Sequence, residues 1–345
     1  MLGKGINIDA LSSINEDLEK HESDLAKNDC FVTKSANTWI EEAKRRPIPN
    51  MLFGALWFEG EICILFSDTN TGKSVLAVQI AEAISRGKSI QDFSTQTSPQ
   101  KTVYFDFELS DKQFEKRYSN NYKDHYQFSP NLIRAEINPD VKLPKEFSCF
   151  EDFLVKSIVE VIQKYNAKVV IVDNLTYLRE DNEKAKNALP LMKHLKAINK
   201  KYGVSVLVLA HTPKRDYSKP ITKNDLAGSK MLINFCDSAF ALGVSTEGHD
   251  LRYVKQIKQR NTECVYHSEN VALMRIHQDF NFLKFHFVDF DCEANHLKAK
   301  DASERKNRLE KIQELKSQGL SNVDIAERLG ISEGTVRYNL KKIEH

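Results

Sequence analysis

Residues 67–74 read SDTNTGKS, and what flanks them narrows the fold more than any other stretch of the chain. Upstream, EICILFS at 61–67 is a short, continuous, apolar run of the kind found in strands buried on both faces. Downstream, Val75, Leu76, Val78, Ile80, Ala81 and Ile84 recur at helical spacing, so 73–86 reads as a helix. A strand, a tight loop and a helix opening with Gly-Lys-Ser make the context in which a P-loop is credible. The loop's backbone N–H groups and the helix N-terminus form a nest for phosphate oxygens. Its residues are Ser67, Asp68, Thr69, Asn70, Thr71, Gly72, Lys73 and Ser74. Gly72 lets the backbone approach closely, Lys73 supplies a point charge to the β- and γ-phosphates, and Ser74 offers a hydroxyl to Mg²⁺. The pattern asks for Gly at its first position, where this chain has Ser67. ATP and Mg²⁺ are the expected ligands, with hydrolysis the expected reaction.

From about 47 to 295 the chain alternates between strand-like and helix-like segments. Apolar runs at 61–67, 102–107, 168–173 and 204–210 are separated by helical patterns at about 73–86, 111–118, 150–165 and 189–201. That alternation predicts an α/β fold with a mostly parallel sheet covered by helices on both faces. Further strands at about 238–242, 251–258, 270–276 and 282–288, with a turn at Asn281 and Phe282, read as antiparallel additions. The run Val169-Val170-Ile171-Val172-Asp173-Asn174 ends an apolar strand in a carboxylate, the arrangement that organises Mg²⁺ about a hundred residues after a P-loop.

Residues 1–46 are polar and mixed in charge, with Ile8, Leu11, Ile14 and Leu18 at roughly helical spacing, and read as an N-terminal arm closed by RRPIP at 45–49. Residues 296–345 turn dense in Lys, Arg and Glu and read as a charged linker and a small all-α domain. The expected domains are thus 1–46, 47–295 and 296–345. A net charge of +2 is too small to argue for nucleic acid in bulk, so that argument rests on local patches. The six cysteines, at 30, 63, 149, 236, 264 and 292, form no CxxC pair and read as reduced thiols of a cytoplasmic protein. No apolar run approaches the length of a membrane helix.

Five stretches together resemble the RecA-like ATPases of the DnaB/RepA-type hexameric helicase group. The P-loop and the strand ending at Asp173 are the first two. The third is Phe105-Asp106-Phe107-Glu108-Leu109-Ser110, where the resemblance makes Glu108 the general base that orients the attacking water. The fourth, Leu209-Ala210-His211-Thr212, makes His211 a sensor of the γ-phosphate; a satisfied structural histidine is the other reading. The fifth runs from Asp225-Leu226-Ala227-Gly228-Ser229 through Asp237 to Lys255-Gln256-Ile257-Lys258-Gln259-Arg260-Asn261. It looks like the family's late K-x-R element, in which Lys258 and Arg260 would reach the ATP of a neighbouring subunit. A solvated basic edge strand is the alternative. The resemblance implies a RecA-like sheet, a homo-oligomeric ring, most simply a hexamer, and channel loops after Asp173 and His211. Lys214, Arg215, Lys219 and Lys223, with Tyr217, would there meet a single-stranded DNA backbone. The adenine contacts are open; Arg117 and Tyr118 are candidates.

In the last fifty residues, helices at about 302–318, 322–329 and 333–343 surround a tight turn, with Ser321 and Ser332 as N-caps and Ile325, Ala326, Leu329, Ile331, Val336 and Leu340 as core. This resembles the C-terminal helix-turn-helix of response regulators and sigma factors. The last helix would present Glu333, Thr335, Arg337, Tyr338 and Lys341 to duplex DNA, or else serve a protein partner. Two functions follow: an ATP-driven ring motor on DNA, a RepA-like helicase of plasmid or mobile-element type, or an ATP-gated oligomeric DNA-binding regulator.

Overall fold

The computed structural model describes residues 31–174, 188–226, 230–298 and 302–343. The helical spacing at Ile8 to Leu18, the loop after Asp173, and Ala227, Gly228 and Ser229 lie outside the described residues. Two compact units divide after Ile48. In the first, α1 (Ala36–Lys44) is capped by the Ser35 hydroxyl, which accepts from the Thr38 N–H at 3.1 Å.

The second unit opens with the short antiparallel pair β1 (Met51–Phe53) and β2 (Trp57–Phe58). β3 (Ile62–Ser67) leads through the P-loop into α2 (Lys73–Arg86) and β4 (Thr102–Asp106). α3 (Asp111–Arg117), β5 (Ser119–Asn120), β6 (Asp124–His125), β7 (Leu132–Ala135), α4 (Phe150–Tyr165) and β8 (Val169–Asp173) follow. Next come α5 (Ala188–Tyr202), β9 (Ser205–His211), α6 (Lys230–Phe235) and β10 (Ser238–Val244). The long strands β11 (Leu251–Lys258), β12 (Val271–Asp279) and β13 (Phe282–Asp291) complete the sheet, and α7 (Ala302–Ser317), α8 (Asn322–Leu329) and α9 (Glu333–Ile343) end the chain.

Among the described residues the main sheet has nine strands in the order β13-β12-β11-β10-β3-β9-β8-β4-β7. The six from β10 to β7 are mutually parallel, and β11, β12 and β13 are antiparallel. The expected fold class holds: a mostly parallel sheet flanked by helices, with a small helical region at the C-terminus. One strand direction differs from the sequence reading. β10 runs parallel to β3 and belongs to the parallel core, so only the last three strands are antiparallel additions. The turn before β13 also falls one residue earlier, at Phe280 and Asn281.

Alternation along each strand explains why the apolar runs are unbroken. Ile62, Ile64 and Phe66 of β3 join one core with residues of α4 and α5, while Cys63 and Leu65 join the other, against α2. A strand covered on both faces has no polar side to show. The C-terminal helices close on a third core of Ile312, Ile325, Ala326, Ile331 and Val336, with Leu329 and Leu340 packed against it. Ser321 and Asp324 form a reciprocal capping box at the start of α8, and the Ser332 hydroxyl accepts from the Thr335 N–H at 3.1 Å to cap α9. These helices belong to the same compact unit as the sheet.

Candidate active site

The last residues of β3, β4, β8 and β9 are Ser67, Asp106, Asp173 and His211. Register sets Ser67 opposite His211 and Asp106 opposite Asp173, so all four lie at the carboxyl edge of the parallel sheet, where such sheets bind ligands. β9 lies between the P-loop strand and β8, which puts His211 between Lys73 and Asp173.

Ser67, the departure from the glycine of the P-loop pattern, is buried and helps to close the loop. Its hydroxyl is 2.5 Å from that of Thr71, and both reach the Asp68 carbonyl, at 3.1 and 2.9 Å. Gly72 has φ 101°, and a Cβ there would fall 2.8 Å from the Phe285 ring, so position 72 tolerates no side chain. Arg252 braces the loop from β11, its Nε donating to the Thr71 carbonyl at 3.0 Å. The buried Lys73 ammonium reaches the carbonyls of Ser67 and Asp68 only at 3.4 Å and contacts His211 Nδ1 at 3.0 Å. Burial pulls its pKa down, and the charges of Asp173, Glu108 and Asp68 oppose that.

Asp173 is fully buried. Tyr104 donates to its Oδ2 at 2.5 Å, while Oδ1 has no hydrogen-bond partner. Burial pushes its pKa up to about 6; the Ser74 and Tyr104 hydroxyls pull it back, and the carboxylates of Glu108 and Asp106 add to the rise. An orphaned carboxylate oxygen near the Ser74 hydroxyl is chemistry that suits a hydrated Mg²⁺.

Glu108 lies just beyond β4. Asn174 Nδ2 donates to its Oε1, and His211 Nε2 lies 3.4 Å from the same oxygen. The His211 hydrogen bond holds the carboxyl below its usual range against the effect of burial. Lys73 Nζ lies at His211 Nδ1, while His211 Nε2 faces both Asn174 Nδ2, at 3.2 Å, and Glu108. The segment carrying Glu108 is clamped from below. Asp106 Oδ1 accepts from the backbone N–H groups of Glu108 and Leu109 at 3.2 and 3.0 Å, and Oδ2 accepts from Arg134 Nε at 2.9 Å. Arg134 Nη2 also donates to the Leu109 carbonyl at 2.7 Å. Sequence reading missed Asp106, Arg134, Asn174 and Tyr104. Asp106 and Asn174 stand inside quoted motifs and could have been found there, whereas Arg134 sits on β7, an edge strand without a sequence signal.

Residues 32–216, more than half of the chain, match the AAA domain family. The chain belongs to the AAA domain family. Residues 312–344 match the winged helix-turn-helix DNA-binding family. Among solved structures, the KaiC-like protein PH0186 of the hyperthermophilic archaeon Pyrococcus horikoshii OT3 aligns at 15% identity over 67% of this chain and 91% of that chain, with a TM-score of 0.44. No curated protein matches the chain.

Other candidates lie away from the AAA domain's phosphate edge. Lys258 Nζ donates to the Ile233 and Cys236 carbonyls at 2.5 and 2.7 Å. Arg260, beyond the end of β11, pairs with Asp237 at 3.2 Å, and Asp237 accepts from Ile62 N–H at the start of β3. Both are therefore about a strand's length, roughly 17 Å, from Ser67, and cannot serve the phosphate site of their own chain. In the loop after β9, Lys214, Lys219 and Lys223 are exposed. Arg215 departs from the expected orientation: it donates to the Lys219 carbonyl at 2.6 Å and its side chain is only 3% exposed. Tyr118 belongs to an aromatic cluster with Phe114, Phe128 and Phe282, and its ring serves the core. Nη1 of Arg117 is buried without a hydrogen-bond partner.

On α9, Arg337 is exposed and pairs with Glu333, but Thr335 is buried, its Oγ1 donating to Asp291 Oδ2 at 2.9 Å. Tyr338 lies beside Arg275, and the Lys341 side chain is outside the described residues. Among the described residues His277, Asp279 and His286 group like metal ligands, but the Lys284 ammonium already occupies the cation's place at Asp279. Among the described residues no helix is long and apolar enough to cross a membrane.

Proposed function

We propose that this AAA domain protein hydrolyses ATP with Mg²⁺ and works as a ring-forming DNA motor, a RepA-like helicase of plasmid or mobile-element type. The observation that supports it most is the meeting of Lys73, Glu108, Asp173 and His211 at one sheet edge, within a few hydrogen bonds of each other. In this reading residues 67–74 cradle the phosphates and Lys73 leaves its weak carbonyl contacts for the β- and γ-oxygens. Ser74 and Asp173 would hold the Mg²⁺, which supplies charge neutralisation on the phosphate oxygens. Glu108, ionised at neutral pH, orients a water and takes its proton as the water oxygen bonds to the γ-phosphorus and the bond to the β–γ bridging oxygen breaks. His211 links Lys73 to Glu108 and so can report whether the γ-phosphate is present. Lys258 and Arg260, too far to act in their own chain, fit the role of trans contacts to a neighbour's ATP in a homo-oligomer, with the hexamer as the expected ring.

Single-stranded DNA would be met in the ring channel by Lys214, Lys219 and Lys223, with Arg215 shaping the loop by its inward bond. The winged helix-turn-helix would meet duplex DNA. The second reading, an ATP-gated oligomeric DNA-binding regulator, is favoured by one observation: α9 is bonded to the AAA body through Thr335. Steady-state ATP hydrolysis without DNA, with single strands and with duplex separates the two. Strong stimulation by single strands, followed by duplex unwinding, supports the motor. Slow turnover indifferent to DNA sinks the motor and leaves the regulator.

A further inference from the structure

α9 is the helix that a DNA-reading helix-turn-helix lays in the major groove. Here its polar face is already bonded. Thr335 Oγ1 donates to Asp291 Oδ2 at 2.9 Å, and Asn339 Nδ2 donates to Glu247 Oε2 at 3.1 Å. Both residues are nearly closed to solvent, at 3% and 4% exposure. Tyr338 lies over the body as well, with Arg275 5.9 Å from its ring and its hydroxyl 3.3 Å from where a Cβ at Gly248 would stand. Asn295 Nδ2 reaches the Gly330 carbonyl at 3.4 Å, which fixes the turn before α9 on the same surface.

The chemistry of this seat identifies its competitor. It offers carboxylate oxygens of Asp291 and Glu247 to hydroxyl and amide donors of α9, and Asp289 lies alongside, its Oδ2 3.8 Å from a Cβ built at Gly334. A DNA duplex offers phosphate oxygens and base-edge acceptors to the same donors. One helix face cannot bond to both at once.

We propose that the acidic seat formed by Asp291, Glu247 and Asp289 and duplex DNA compete for the same face of α9, so that the helix-turn-helix binds duplex only after leaving the AAA body. This rests on the reading of residues 312–344 as DNA-binding. The helix is masked by a surface of its own chain, and the affinity for duplex is set by the fraction of molecules in which it has swung free.

A reversible lock tests this. A Cβ at Gly334 would stand 3.6 Å from Cγ1 of Val288, the γ position that a cysteine sulfur at 288 could take, so the two thiols can meet, and Gly334 has no left-handed φ to strain a side chain. The full chain carrying Gly334→Cys and Val288→Cys should cross-link under mild oxidation. Oxidised, it should bind a pool of short random-sequence duplexes at low salt at least about tenfold more weakly than the same protein reduced. With the native Cys149, Cys264 and Cys292 replaced by serine throughout, the variants carrying only one of the two substitutions should show no such redox dependence. Equal binding by the locked and reduced protein would overturn the competition, and failure of the disulfide to form would overturn the docked arrangement. If the disulfide forms but the reduced protein binds no duplex, the DNA-binding reading of α9 fails and takes the proposal with it; the cross-link itself distinguishes that result from the others.

Discussion

Asp173 is held in a state that folding alone does not favour. Its carboxyl ionises near 3.8 in the free amino acid side chain and near 6 in the fold, with burial the main cause. The folded chain therefore binds that proton more tightly than the unfolded one. The stabilising contribution is complete below the unfolded value and is lost as pH rises through about 6. Asp173→Asn, which carries no charge to desolvate, should be more stable than wild type at about pH 8, by up to about 3 kcal/mol, and close to it at about pH 3.5, below the unfolded value. Thermal melts at the two pH values check this; a variant less stable than wild type at the higher pH would contradict it. The variant should also lose Mg²⁺-dependent turnover, the usual exchange of stability for function. At this scale the sequence was legible where a motif fixes position, with Lys73 opening a helix, Asp173 ending a strand and Glu108 just beyond one. It was not legible where the role depends on which side chains face each other: that Tyr104 donates to Asp173, or Asn174 to Glu108, follows from register between strands far apart in the chain.

At the scale of elements, the buried parallel strands declared themselves because both faces are covered and each run is apolar throughout. β7 did not, since Leu132–Ala135 is a half-buried edge strand interrupted by Arg134. Periodicity also carries no direction, so β10 could be read as a strand but not as a parallel one. The cost of missing β7 was missing its function: Arg134 neutralises the buried Asp106 that pins the Glu108 segment. Arg134→Ala leaves that carboxylate without its partner and should destabilise the protein by about 3 kcal/mol in urea unfolding. Its effect on turnover should exceed its effect on ATP binding, because the P-loop does not depend on Arg134. Unchanged unfolding would show that Asp106 finds another partner.

At the scale of the whole molecule, Lys258 and Arg260 have no phosphate within reach in their own chain, which is why the proposed motor needs a neighbour. Arg260→Ala should fold normally and lose hydrolysis by about 10³-fold or more. Mixed with Glu108→Gln subunits it should recover part of the activity, because some interfaces then pair an intact Glu108 with an intact Arg260. No recovery in mixtures shown to exchange subunits would remove Arg260 from a neighbour's site. The seat of α9 belongs to this scale too. Thr335 was read from sequence as a DNA contact; that it and Asn339 bond to Asp291 and Glu247 emerges only from the packing of the C-terminal helices on the sheet.

If Glu108 drives hydrolysis at a P-loop that binds ATP through Lys73, removing its carboxylate separates turnover from binding. The direct test is ATP binding and Mg²⁺-dependent turnover of wild type and Glu108→Gln measured side by side. The variant should bind ATP as wild type does and turn it over about 10²-fold or more slowly. Undiminished turnover in Glu108→Gln would contradict it.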